Sequence, residues 1–239
     1  MNLLIVQEHD LDANREFTIT GKRVEHLLHV LHAQAGDSIK TGLYGGNIGQ
    51  STLLSIDRRS ARLRLETLDK HPPAPSDITL ITALPRPQSM KKVLHFATSS
   101  GIKKIYFIGT ERVEKSFWKS SAMTPEALQE EIILGLEQGV DTIPPELFLR
   151  PELHHFLNSG ELRQIVQDND HNLVAHPDPN AQSCPRAIQG KTSLLIGPEG
   201  GFLRKEIDRF MTEGFQCVEL GAHILRVEFA VAFLCGRIS

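Results

Sequence analysis

The run Leu194-Leu195-Ile196-Gly197-Pro198-Glu199-Gly200-Gly201-Phe202 holds the clearest candidate chemistry in the chain. An apolar strand passes straight into a glycine-rich turn and then into a helix. In parallel α/β sheets ligands sit at such strand ends. The three glycines permit close backbone approach and positive φ, and the helix start favours anionic groups. The plain alternative is a tight turn. The run is not GxGxxG and lacks the Lys-Ser/Thr pair of a P-loop, so neither the usual dinucleotide site nor a triphosphate site is expected. Further on, Leu220-Gly221 ends a second short strand, and Arg226 and Glu228 follow inside an otherwise apolar run. Charges in such runs tend to be paired or functional. An Arg226–Glu228 surface pair is the bland reading.

Other clusters say less. Arg58, Arg59, Arg62 and Arg64 fall within seven residues of a hairpin and form the best nucleic-acid patch. Lys91, Lys92, Lys103, Lys104, Lys115 and Lys119 could add a basic rim for phosphates. His26, His29 and His32 lie three apart, but a metal needs ligands converging from more than one element, so no metal site is expected.

Two sets of elements must position these groups. The stretch 71–77, HPPAPSD, carries three prolines and fits neither helix nor central strand, which marks a domain boundary. Before it, strands are expected at 3–6, 37–44, 51–56 and 61–68. A helix capped by Thr20 is expected to run to His32, with Val24, Leu27, Leu28 and Leu31 on one face. This small β-rich part has nine basic and nine acidic residues and suits a binding barrel. After the boundary, strands at 78–84, 104–108, 147–149, 173–175, 193–196 and 217–220 alternate with helices at 87–100, from Thr124-Pro125, at 206–211 and from Arg226. That order implies right-handed crossovers and a mostly parallel sheet.

Composition closes off several classes. With 239 residues, 40% hydrophobic and 23% charged, the chain is globular and large enough for one big domain or two modest ones. A net charge of -3 excludes a general polyanion binder, so any nucleic-acid contact must be local. Cys184, Cys217 and Cys235, odd in number and without a CxxC, read as reduced buried thiols. No signal-peptide pattern and no long apolar run are present, so a cytoplasmic, non-membrane protein is expected.

LLIGPEGGF followed by LGAHILRVE resembles the RsmE family, the 16S ribosomal RNA uridine-N3 methyltransferases of the SPOUT class. The likeness runs the length of the chain, through HLLHVLHAQAGDSI, ALPRPQSMKKVLHFATSSGIKKI, LGLEQ and LVAHP. It implies an α/β protein. A PUA-like RNA-binding β-barrel domain would span 1–70, a linker 71–77, and a SPOUT methyltransferase domain with a carboxyl-terminal deep trefoil knot 78–239. The implied cofactor is S-adenosylmethionine, its adenine against backbone from Ile196, Gly197, Gly201, Leu220, Gly221, Ile224 and Leu225. Leu84, Ala175 and His176 would complete the pocket wall. The implied partners are 16S ribosomal RNA or the small ribosomal subunit and a second copy of the chain, with the active site at the homodimer interface.

Uracil N3 is a poor nucleophile while protonated, so an enzyme must take that proton and stabilise charge on O2 or O4. For this chemistry Arg226 is the first candidate for charge stabilisation, Glu228 a candidate for the proton or for orienting Arg226, and Arg86, at the first strand's carboxyl end, a candidate contact for RNA phosphate or base; spacing alone gives none of these roles. Arg58, Arg59, Arg62, Arg64, Lys91 and Lys92 would hold RNA. The chain departs from the family pattern at Phe229, where threonine is usual, at Leu203, where serine or threonine starts the helix, and at His32, where arginine is usual. These departures motivate a rival reading, a knotted RNA-binding or ribosome-assembly protein without transfer activity, and a further one, a methyltransferase on a different RNA.

Overall fold

A computed structural model describes residues 2–178 and 181–239. The chain forms two compact units, Met1–Ala74 with Ile132–Pro144, and Pro75–Glu131 with Pro145–Ser239. Residues 71–77 form neither helix nor strand.

The first unit contains β1 (Leu4–Val6), β2 (Glu16–Thr20), α1 (Lys22–His29), β3 (Ser38–Leu43), β4 (Ile48–Ile56) and β5 (Ser60–Lys70). They make a barrel-like five-stranded sheet in the order β1-β3-β4-β5-β2, antiparallel except for β1 beside β3. Along β5, Leu63 and Leu65 are buried while Arg62, Arg64 and Glu66 face water, the alternation a one-sided sheet requires. Leu4, Phe17, Val24, Leu27, Leu53, Leu63 and Leu65 meet in one core.

Two expectations here need correction. Thr20 does not cap α1: it ends β2, and Gly21, with φ 65, makes the turn into the helix. The helix also stops at His29, because His32 takes a left-handed φ of 50 and turns the chain away. Leu31 is therefore exposed instead of joining Val24 and Leu27, and His32 is not on the helix that carries His26 and His29.

Residues 132–144 come late in the sequence yet pack into this first unit. The Glu137 carbonyl accepts the N–H groups of Asn2 and Leu3 at 3.0 and 3.1 Å. Its buried carboxylate accepts the Ile5 N–H at 3.2 Å and pairs with Arg23 at 3.0 Å. Burial pushes the Glu137 carboxyl above its usual range, against the pull of Arg23 and the Ile5 amide. The Gly45 N–H donates to the Thr142 carbonyl at 2.8 Å.

The second unit holds β6 (Ile78–Ala83), α2 (Pro87–Ser99), β7 (Lys104–Ile108), α3 (Pro125–Gly139, which runs on into the segment just described), β8 (Glu146–Arg150), α4 (Leu153–Asn158), α5 (Glu161–Asp168), β9 (His171–Ala175), β10 (Gln182–Ser183), β11 (Thr192–Ile196), α6 (Arg204–Thr212), β12 (Gln216–Glu219) and α7 (Val227–Ile238). The seven strands lie in the order β10-β12-β9-β11-β6-β7-β8, and every pair is parallel. Every residue of β6 and β11 is buried, as expected of strands with both faces covered. The helix boundaries follow local chemistry. Thr124 caps α3 by accepting the Ala127 N–H at 3.3 Å, and Gly101, at φ 76, turns the chain out of α2.

Candidate active site at the carboxyl edge of the sheet

Because all the strands run one way, their carboxyl ends gather at one edge. Leu220 follows β12, His176 follows β9, Gly197 follows β11, Leu84 follows β6 and Gly109 follows β7. The candidate cofactor residues Leu84, Ala175, His176, Ile196, Gly197, Gly201, Leu220 and Gly221 thus sit at or just past the ends of four strands that are consecutive in the sheet, β12, β9, β11 and β6. Ile224 and Leu225 lie beyond, on the way to α7.

The glycine loop is shaped by packing. Phe202 is buried and folds back over Gly197, where a Cβ would meet its ring at 3.1 Å. Phe202 itself meets Phe210 of α6 edge-on, with ring centroids 5.2 Å apart. The Gly201 N–H closes a turn on the Pro198 carbonyl at 2.8 Å. Gly201 has φ 70 and Gly221 has φ 113, values that side chains rarely adopt, and a Cβ at either would meet nothing within 4 Å. Both positions therefore leave backbone open to a ligand. Burial, aided by the charges of Arg204 and Arg112, holds the His176 imidazole below its usual range despite Asp178. It is neutral at pH 7.

The three candidate catalytic residues differ in setting. Arg226 is the N-cap residue of α7 and is exposed, with no carboxylate partner among the described residues. Glu228 is 7% exposed and does not pair with Arg226. It turns to α2 instead, where Lys92 Nζ lies 3.4 Å away. Burial works to raise the Glu228 pKa, but its own amide, the Ser89 hydroxyl and Lys92 together hold it below the usual range. It is ionised at neutral pH and is a weak base. Arg86 is the N-cap residue of α2. Its backbone N–H donates to Glu199 Oε1 at 3.0 Å, and the side chain is exposed.

Four of the six candidate RNA cations already hold carboxylates: Arg62 with Glu16, Arg64 with Glu66, Lys91 with Glu131 and Lys92 with Glu228. Arg58 and Arg59 stand exposed at the turn between β4 and β5, where Asp57 accepts the Arg59 and Ser60 amides. The single lysine rim does not form. Lys103 and Lys104 precede β7 or open it, at the amino edge, while Lys115 and Lys119 follow its carboxyl end. Among the described residues, no group of three His, Cys, Asp or Glu could hold a metal, and no helix is long and apolar enough to cross a membrane. The three cysteines are free and buried.

Sequence reasoning passed over Arg112, Glu199 and Glu206. Arg112 donates to the Gly200 carbonyl. Glu206 accepts the Leu203 N–H at 2.7 Å and the Glu111 N–H at 2.9 Å. Glu206 stands three places after the helix N-cap, the acidic half of a capping box. Arg112 stands just past a strand's carboxyl end. Both positions carry a readable signal.

An all-parallel sheet with an open glycine loop at its carboxyl edge defines an α/β fold of the cofactor-binding kind. The same fold occurs in the crystal structure of a ribosomal RNA small subunit methyltransferase E from Neisseria gonorrhoeae, with a TM-score of 0.66 at 22% identity over 98% of this chain and 95% of that one. The family model for the RNA methyltransferase domain matches residues 72–239, and the chain belongs to that family. Proteins named ribosomal RNA small subunit methyltransferase E are similar to it over nearly its whole length. The one from Treponema pallidum is 26% identical over 99% of this chain and 90% of its own, and the one from Bacillus subtilis 25% over 93% and 89%.

Proposed function

We propose that the chain is an S-adenosylmethionine-dependent methyltransferase acting on uridine N3 of 16S ribosomal RNA in the small ribosomal subunit. The observation that carries the reading is the pair of glycine turns at one sheet edge, Gly201 and Gly221, both left-handed and open. Full-length similarity to proteins named for small-subunit ribosomal RNA supports the substrate. The solved relative from Neisseria gonorrhoeae is described as bound to S-adenosyl methionine. The donor set here suits that molecule, because apolar Leu84, Ile196 and Leu220 stand at the strand ends near the open backbone of Gly201 and Gly221. An adenine has flat apolar faces and a polar rim, and backbone amides and carbonyls can read that rim. Ile224 and Leu225 would cover it from the other side. The cofactor supplies an electrophilic methyl group when bound.

The residues of the chain do the rest. Arg226, without a carboxylate partner among the described residues, offers its guanidinium to the negative charge on the uracil carbonyl oxygens as the N3 proton passes to solvent water, and N3 then takes the methyl group. Glu228, ionised and tied to Lys92 and Ser89, anchors the first turn of α7 and so fixes Arg226 two residues before it. Arg86, at the end of β6, contacts the RNA, and Arg58 and Arg59 form the RNA-facing tip of the first unit. That unit is read as a PUA-like domain, and the carboxyl-terminal chain as a trefoil knot. The target base must stand clear of its stack to enter.

A homodimer completes the reading. Phe229 and Phe233, four apart on α7, are 57% and 47% exposed, and Ile224 is 90% exposed. Apolar surface of this kind suits a second copy. Glu in place of both Phe229 and Phe233 should convert a dimer to a monomer in sedimentation, and an unchanged dimer would move the interface elsewhere.

The decisive experiment uses small ribosomal subunits that lack the N3-methylated uridine. They are incubated with the protein and methyl-labelled S-adenosylmethionine, and the label is mapped by mass spectrometry of RNA fragments. Label on a uridine N3 of 16S RNA is expected. Label on another RNA keeps the chemistry and discards the substrate. Cofactor binding without any label favours the non-catalytic RNA-binding protein.

A further inference from the structure

We infer that Arg112 and Glu206 are positioning residues that hold the glycine loop in its ligand-ready shape, an inference that rests on reading this loop as a wall of the S-adenosylmethionine site. The two side chains cross-tie neighbouring segments in opposite senses. From α6, Glu206 uses both carboxylate oxygens: Oε2 takes the Leu203 N–H at 2.7 Å and Oε1 takes the Glu111 N–H at 2.9 Å. From the segment after β7, Arg112 sends a guanidinium N–H back to the Gly200 carbonyl. From the nearer strand end, after β6, the Arg86 N–H donates to Glu199 of the loop at 3.0 Å. The loop is therefore tied to the segments that follow β6 and β7, the two strands next along the sheet on one side of β11.

The tie is specific in shape. The Arg112 side chain lies against Gly200, where a Cβ would come within 3.2 Å of Arg112 Cδ. The Arg112 charge is also felt at His176, on the next strand end. One exposed arginine thus stands by both walls of the proposed pocket. The physical need is clear. A loop with Gly197, Gly200 and Gly201 has much backbone freedom to lose on binding. Ordering it beforehand removes that cost from the binding step. Glu206 also supplies the acidic half of a capping box, accepting the Leu203 amide, while its own N–H goes to the Leu203 carbonyl at 3.0 Å in place of a Ser/Thr hydroxyl.

The test compares Arg112→Ala, Arg112→Lys and Glu206→Gln with the wild-type chain. S-adenosylmethionine affinity is measured by calorimetry, KM and kcat by methyl transfer, folding by melting temperature, and loop order by hydrogen exchange without ligand. Arg112→Ala should raise Kd and KM roughly tenfold, the scale of one lost charge-assisted hydrogen bond, with kcat within about twofold. Its melting temperature should barely move, because the side chain is exposed. Arg112→Lys should recover part of the affinity. Glu206→Gln turns an NH2 toward a backbone N–H, so it should weaken binding at least as much and lower the melting temperature too. Amides 199–203 should exchange faster in both Arg112→Ala and Glu206→Gln. Unchanged exchange at 199–203, or unchanged affinity in Arg112→Ala, overturns the inference. A wild-type chain that fails to bind S-adenosylmethionine overturns the cofactor reading instead, and the exchange data then still judge the tie.

Discussion

The two loops at the carboxyl edge are built in opposite ways. Residues 197–203 are cross-tied to the neighbouring strand ends by Glu199, Glu206 and Arg112, and underpinned by Phe202. Residues 221–226 are exposed throughout, and among the described residues no backbone group before Arg226 enters a backbone hydrogen bond. The fixed loop has the open glycine of a binding surface. The exposed loop ends in Arg226, a cation without a carboxylate partner among the described residues. The contrast teaches a division of labour, in which a cross-tied backbone binds and an exposed segment, anchored where α7 begins, presents the charge that the chemistry needs.

The division can be broken at several points. The largest effect should follow Arg226→Ala. Loss of a donor aimed at developing charge costs about 10²- to 10³-fold in kcat, while S-adenosylmethionine affinity should stay within about twofold. An equal loss in affinity would place Arg226 in binding and erase the contrast. Next comes Gly201→Val, which forces a branched side chain to φ 70 in a loop that cannot yield. Strain of about 1–3 kcal/mol is expected, read as lost cofactor affinity and a lower melting temperature. Gly221→Ala meets a φ of 113, but its loop can relax. Its effect on affinity should be half that of Gly201→Val or less, and the melting temperature should hardly change. Equal effects at the two glycines would show that both loops are rigid.

The smallest effect concerns pH. The Glu228 carboxyl titrates lower in the folded chain than its ordinary 4.5. Its stabilisation is therefore complete above about 4.5 and is lost as pH falls through the lower folded value. Chemical denaturation of wild type and Glu228→Gln should differ at pH 7 and converge in acid. A constant difference would show that the Lys92 pairing contributes nothing.

Much of this was legible beforehand, for identifiable reasons. β7 matched its expected bounds of 104–108, and β6, β9, β11 and β12 each fell within two residues of theirs, because buried parallel strands are short apolar runs between turn residues. Gly201 and Gly221 announced the edge because their positive φ favours glycine, and Gly197 because a Cβ there would press on the Phe202 ring. β2 was missed because Phe17 and Ile19 are its only apolar residues, after a polar stretch. α4 and α5 were missed because polar, histidine-bearing sequence carries weak periodicity. The Lys92–Glu228 pair was not legible either. It joins residues 136 positions apart, and local spacing holds no trace of such a contact.

The place of residues 132–144 bears on the order in which the chain is made. The amides of Leu3 and Ile5, and the guanidinium of Arg23, find their partner on Glu137. A nascent chain of 74 residues has all five strands of the first sheet but not the carboxylate that satisfies their first strand. At about 5–20 residues per second, the missing segment arrives roughly 4–14 s later. A fragment ending at Ala74 should therefore be less protected from hydrogen exchange at Leu3 and Ile5 than the full chain. On the ribosome, the part made first must wait for the part made in the middle before it can close.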